Sequence, residues 1–221
     1  MKTLHHINIA VHVLAGTLAL IAGYAAVFTS KGGKKHIRFG GYFTKVVALV
    51  IITGLIGVFV FKRNNFLLVI TLLSGYECYS GIRAIRLRGN KPEWFDYLVS
   101  VLVSASAMYY LYYISSIGMY WNPIITYSTI GALFVLTLYD IGKLFMPVTF
   151  LKKAYLYEHV YKMIGALAAL TSAFSGTVFP QYKPYSQLLP SVFAFTYIFA
   201  TFIGLGLKQK VLNRQLIQQG N

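Results

Sequence analysis

The chain has 221 residues, 57% hydrophobic and only 11% charged, with 20 Lys and Arg against 5 Asp and Glu and a formal net charge of +15. A soluble domain carries about a quarter charged residues, so this composition excludes an ordinary soluble fold, and the hydrophobicity excludes disorder. The single cysteine excludes a disulfide scaffold, and a basic nucleic-acid binder of this kind would lack the polar surface to stay dissolved.

What remains is an all-α, polytopic transmembrane helix bundle forming a single integral-membrane domain. A bilayer core needs about 20 apolar residues of helix. Runs of that kind, bounded by charges, Pro and Gly, fall near 7–29, 37–61, 66–85, 95–114, 123–145, 154–178 and 187–207. The first run is longer than a signal-peptide core, and its larger positive cluster follows rather than precedes it, so it reads as a retained span. Pro92 precedes the fourth span, Asn122-Pro123 opens the fifth, Pro147 follows it and Pro180 stops the sixth. The seventh contains Pro190 in its first turns.

With seven spans, 14 of the 20 Lys and Arg fall on one side and 4 (Lys2, Lys62, Arg63, Lys183) on the other. Lys45 and Lys162 lie within spans. Positive residues stay on the cytoplasmic side, which predicts an outside N-terminus and a cytoplasmic C-terminus in the cell inner membrane. The net charge then needs no nucleic acid, and the basic face attracts anionic headgroups. Tyr109, Tyr110, Tyr112, Tyr113, Tyr120 and Trp121 form an outer aromatic belt, with Trp94, Tyr155 and Tyr157 on the inner side.

Ionisable residues inside spans are costly and point to function unless a local partner explains them. Asp140 has Lys143 three residues on, and Glu158 has Lys162 four residues on, so both read as structural pairs. Glu77 has only Leu73, Ser74, Ser80 and Gly81 at those spacings. A rise of 1.5 Å per residue puts Glu77 roughly 12 Å inside the inner boundary, with Lys45 and Lys162 at about the same depth. Counting from the turn after the second span instead shifts Lys45 by about 7 Å, much of which its stem can bridge. The expectation is a buried Lys45–Glu77–Lys162 cluster, acting as a packing ion pair or as a proton or anion relay. Ser74 and Gly81 share the Glu77 face and allow close helix approach.

His12, His36 and His159 head faces rich in small residues, which leave room either for a macrocycle or for a neighbouring helix. His36 and His159 are on one side and are the candidate pair for haem b or a metal; His12 belongs to the opposite leaflet. Histidines at helix mouths equally donate to carbonyls or lipid phosphates. No Cys-x-x-Cys, His-Glu-x-x-His, P-loop or Gly-x-Ser-x-Gly is present, and Cys78 stands alone beside Glu77.

His12-Val-Leu-Ala-Gly16 with Leu18, Ala19 and Gly23, then His36-Ile-Arg-Phe-Gly40-Gly-Tyr-Phe43 and Gly54, resembles a bacterial family of predicted multi-span membrane proteins of unknown function. Ser80-Gly-Ile-Arg-Ala-Ile-Arg-Leu-Arg88 and the His159 span, from Tyr157 to Phe174, extend the likeness thinly over most of the chain. It implies a membrane location and recurrent histidines, with no activity attached. Members often carry a further His at the start of the fourth span, where this chain has Trp94-Phe95-Asp96, which weakens a b-type cytochrome analogy.

Three functions stay open. One is a redox or metal-binding component using His36 and His159, with quinone as a partner. Another is a non-catalytic subunit or scaffold that docks a membrane-protein partner or a second copy through its small-residue faces. The third is a small proton-coupled transporter using Glu77, Lys45 and Lys162, although no inverted repeat or pair of broken helices is evident.

Overall fold

The computed structural model describes residues 2–61, 66–117 and 122–219. Seven α-helices follow one another, with no strand among the described residues: α1 (Lys2–Val27), α2 (Lys34–Phe59), α3 (Phe66–Leu87), α4 (Trp94–Ile117), α5 (Pro123–Gly142), α6 (Val148–Val178) and α7 (Tyr185–Gln219). Lys62 and Arg63, and the Tyr120–Trp121 end of the aromatic belt, lie outside the described residues.

The helix ends have local causes. Asn122 caps α5, its side chain accepting from the Ile124 N–H at 2.9 Å, and Pro123 follows where no N–H is needed. Pro147 stands at the N-cap of α6, so this helix starts earlier than the hydrophobic run at 154 suggests and takes in Lys152 and Lys153. α7 runs through Pro190, which leaves the Ser186 carbonyl without its helical donor. The Ser175 hydroxyl of α6 lies 2.5 Å from that carbonyl and can give its one proton either to it or to the Thr171 carbonyl of its own helix at 2.8 Å. Ser175→Ala is expected to lower stability by about 1 kcal/mol, read as a fall in Tm in detergent.

α3 ends on Arg88 (φ 50°) and Gly89 (φ 81°), both left-handed. A side chain at Gly89 would meet the backbone of Leu151 and Lys152 as well as that strained φ. Gly89→Ala is therefore expected to cost about 2 kcal/mol by thermal unfolding.

Among the described residues five helices are long and apolar enough to cross a membrane: α1, α2, α5, the Trp94–Ser116 part of α4 and the Tyr185–Lys208 part of α7. α3 and α6 have the length, about 33 and 46 Å, but not the composition. The packing explains the difference. α3 lies against α2, α4, α5 and α6, and α6 lies against α1, α3 and α7, so these two form the centre. No large hydrophobic is exposed on α3 among its described side chains, whereas Leu14, Ile21, Ile52, Phe193 and Phe199 stand on the outer faces of α1, α2 and α7.

Two apolar cores flank this centre. Ala19, Phe43, Val47, Cys78, Ala166 and Leu167 tie α1 and α2 to α3 and α6. On the other side Val69, Leu73 and Tyr76 of α3 pack with Ala107, Tyr110, Leu133 and Leu136 of α4 and α5. Ser74, Glu77 and Ser80 of α3 and Glu158 and Lys162 of α6 are thereby enclosed in protein, while Arg86, Lys152 and Lys153 stay exposed.

Candidate functional site

The central helices meet closely because glycine stands at their contacts. A Cβ on Gly81 would lie 2.9 Å from Met163 Sδ and 3.1 Å from Lys162 Cβ, and one on Gly165 would collide with the Glu77 carboxyl. This approach brings the buried charges of α3, α5 and α6 together.

Lys162, 1% exposed, holds both carboxylate oxygens of Asp140 at 2.6 and 2.9 Å, with Glu158 Oε2 at 3.5 Å. Lys143 pairs with Asp140 Oδ1 at 2.7 Å and with Glu158 Oε2. The two pairs expected from spacing within α5 and α6 are thus cross-linked into one tetrad of two acids and two bases. Tyr139 donates to Glu158 Oε1 at 2.8 Å, and its ring lies 5.1 and 5.7 Å from the two ammonium groups. Tyr76 donates to Asp140 Oδ2 at 2.7 Å, so the Ser100 hydroxyl, also 2.7 Å away, must be the donor in any bond with Tyr76. That same proton can instead go to the Asp96 carbonyl at 2.9 Å.

A second charged group lies toward the end of α3. Arg83 makes a two-pronged contact with Asp96 at 2.6 and 2.7 Å and reaches Glu93 at 3.1 Å, while Tyr79 donates to Asp96 at 2.7 Å. Between this group and the tetrad runs a cleft of about 20 Å³, lined by Tyr76, Tyr79, Arg83, Asp96, Asp140 and Lys143, with room for about one water. Nearby, Lys91 donates to the carbonyls of Lys143, Leu144 and Met146 and so caps the end of α5.

Glu77 is the exception among the five acids. The other four are all in ion pairs, whereas Glu77 is 5% exposed and its Oε2 is buried without a hydrogen-bond partner. It lines a cavity of about 410 Å³ between α3, α5, α6 and α7. The Ser172 hydroxyl, on the same wall, is also buried and unpartnered. Buried polar atoms in native proteins nearly always have partners, and the exceptions are a sign of function or of bound solvent or ligand. A larger groove of about 660 Å³ between α1, α6 and α7 has no charged residue in its lining, so the chemistry lies in the smaller cavity.

The expected Lys45–Glu77–Lys162 cluster does not form. Phe43, Val47 and Val50 occupy the buried stripe of α2, which leaves Lys45 exposed on another face. Lys162 is close enough to Glu77 to act on it electrostatically, but its ion pairs go to Asp140 and Glu158. Spacing along one helix gave Asp140–Lys143 and Glu158–Lys162 as separate pairs; that they join each other, and that Tyr76 and Tyr139 complete them, it did not give. The scarcity of acids, five in the whole chain, was the available signal.

The histidines tie helices to one another. His36 Nδ1 donates to Ala26 O at 3.0 Å, His159 Nδ1 to Gly81 O at 2.9 Å, and His12 Nδ1 lies 2.8 Å from the Thr53 hydroxyl. In His36 and His159 the ring nitrogen left with a lone pair is therefore Nε2. Among the described residues no group of three or more His, Cys, Asp or Glu is placed to hold a metal ion. Cys78 is buried in the core beside α1 and α2.

Comparison with family models, with curated proteins and with solved structures finds no match.

Proposed function

We propose that the chain is a multi-pass inner-membrane protein, of the family its His-led spans resemble, that carries a small solute across the bilayer coupled to a proton held at Glu77. The observation that carries this reading is the Glu77 carboxyl, whose buried Oε2 has no hydrogen-bond partner, on the wall of a ligand-sized cavity. Together with the tetrad it makes three acids and two bases. The five groups are neutral when Glu77 holds its proton and carry one negative charge when it does not.

In this reading all seven helices span, with the N-terminus outside and the C-terminus cytoplasmic. The Lys and Arg asymmetry supports the orientation, and the enclosure of α3 and α6 by apolar helices removes the objection to their polarity. The cavity, lined by the first turns of α5 and α7, then belongs to the outer half. The narrow cleft at the end of α3 belongs to the inner half, with the tetrad between them. Anionic headgroups are expected at the basic end. The redox reading has less support, since His36 and His159 are accounted for by their carbonyls.

The test is a reconstitution into vesicles containing a pH-sensitive dye. An impermeant cation (benzyltrimethylammonium), an impermeant anion (benzenesulfonate) and a neutral solute (mannitol) are added in turn, with potassium and valinomycin as electrical shunt. At least one solute is expected to change luminal pH faster than in empty vesicles, and Glu77→Gln is expected to abolish the change. Traces that match empty vesicles for all three would overturn the proposal.

A further inference from the structure

We infer that the cavity takes a small monovalent organic cation, which exchanges with the proton on Glu77. This rests on the carrier reading and assigns its substrate class. Among the described residues, Glu77 and Tyr161 are the only titratable ones in the cavity lining, with no Lys, Arg or His. An anion would find no positive partner there, because Lys162, the nearby cation, is already held by Asp140 and Glu158.

The charged and titratable neighbours of Glu77 are few. Lys162 and Tyr161 face it from α6, and Cys78 adjoins it on α3. Among the described residues α5 and α7 bring no charged group to the cavity; their polar side chains there include Ser128, Thr129 and Gln187. The exchange is therefore one for one. The carboxylic acid releases its proton, the carboxylate accepts the cation's charge, and the local charge is zero in both states.

The remaining lining suits a cation with an apolar body. Ile70, Leu73, Ile125 and Ile198 supply apolar surface. The rings of Tyr161 and Phe195, also in the lining, have centroids 6.3 Å apart at 52°, and aromatic rings of this kind attract a quaternary or primary ammonium. A volume of about 410 Å³ accommodates one such molecule.

The experiment titrates benzyltrimethylammonium into the full-length, detergent-solubilised protein in weakly buffered solution with an indicator dye. About one proton is expected to leave per cation bound, and the apparent Kd should rise about tenfold for each pH unit lowered in the range where Glu77 is protonated. Glu77→Gln, which keeps the shape and the neutral state, should keep the Tm, weaken binding at least tenfold and release no proton. Glu77→Asp should restore proton release. Binding of benzenesulfonate or benzyl alcohol as tight as that of the cation, or cation binding without proton release, would overturn the inference. If the cation fails to bind while another solute still drives Glu77-dependent pH change in vesicles, the substrate class falls and the carrier reading stands. If no solute drives such a change, the carrier reading falls with it.

Discussion

Replacing Lys162 by methionine is expected to destabilise the protein by about 3–5 kcal/mol, the largest stability effect of any single change at the site. The ammonium is 1% exposed and holds Asp140 through two contacts and Glu158 through a third. Its removal leaves two buried carboxylates against Lys143 alone. The cost arises less from the lost attraction than from the uncompensated charge that stays behind in a poorly solvated interior. Thermal unfolding in detergent should show a Tm lower by on the order of 10 °C. Adding Asp140→Asn to Lys162→Met should recover at least half of the loss, because Lys143 and Glu158 then balance each other. Lys45→Met, on the exposed face of α2, should change Tm by less than about 0.5 kcal/mol equivalent. Equal effects of the two lysine substitutions would remove the tetrad as a structural unit.

Glu77→Gln is expected to act in the opposite way, leaving stability intact and removing function. Glutamine is close in shape to the protonated acid, and the tetrad is balanced without Glu77, so no buried charge is stranded. Neutralising a buried carboxyl that has no ion pair is commonly neutral or stabilising. Among the described residues, however, the cavity wall offers no second carboxyl to take over the proton, and the Tyr161 phenol cannot supply a carboxylate in exchange. Solute-driven pH change in vesicles should fall at least tenfold, with Tm unchanged or raised. Rates within twofold of the unmodified protein would show that the proton travels elsewhere.

The contrast between these two residues marks what could be read from the chain. Glu77 stood out because no cation lies three or four positions away, and it was expected to pair with Lys45 and Lys162; among the described residues it is instead the acid without an ion pair. Its partners were misassigned. Depth along a helix follows from counting residues, and on that count Lys45 and Lys162 looked equivalent. Which face each lysine occupies does not follow from depth. In a helix with one polar face that face would betray it, but α2 is apolar on more than one side, with Leu49 and Ile52 exposed, so the buried stripe of Phe43, Val47 and Val50 is indistinguishable from its neighbours in sequence. The local pairs Asp140–Lys143 and Glu158–Lys162 were legible for the complementary reason, as residues three and four apart on a helix are neighbours whatever surrounds them. That these pairs share oxygens, and that Tyr76 and Tyr139 complete them, depends on contacts between helices distant in sequence.

The sequence by itself determined the helical class, the approximate helix positions and the ends set by Asn122, Pro123 and Pro180, because composition and chain-local sterics act within a few residues. It also singled out Glu77, because an unpaired acid in an apolar run is costly wherever the helix lies. Only the tertiary structure decided that α3 and α6 form the centre, that Lys162 serves Asp140 and Glu158, and that Glu77 faces a cavity with Ser172. Those outcomes depend on how helices rotate and pack against one another, and glycines such as Gly81 and Gly165 permit that approach without specifying the partner.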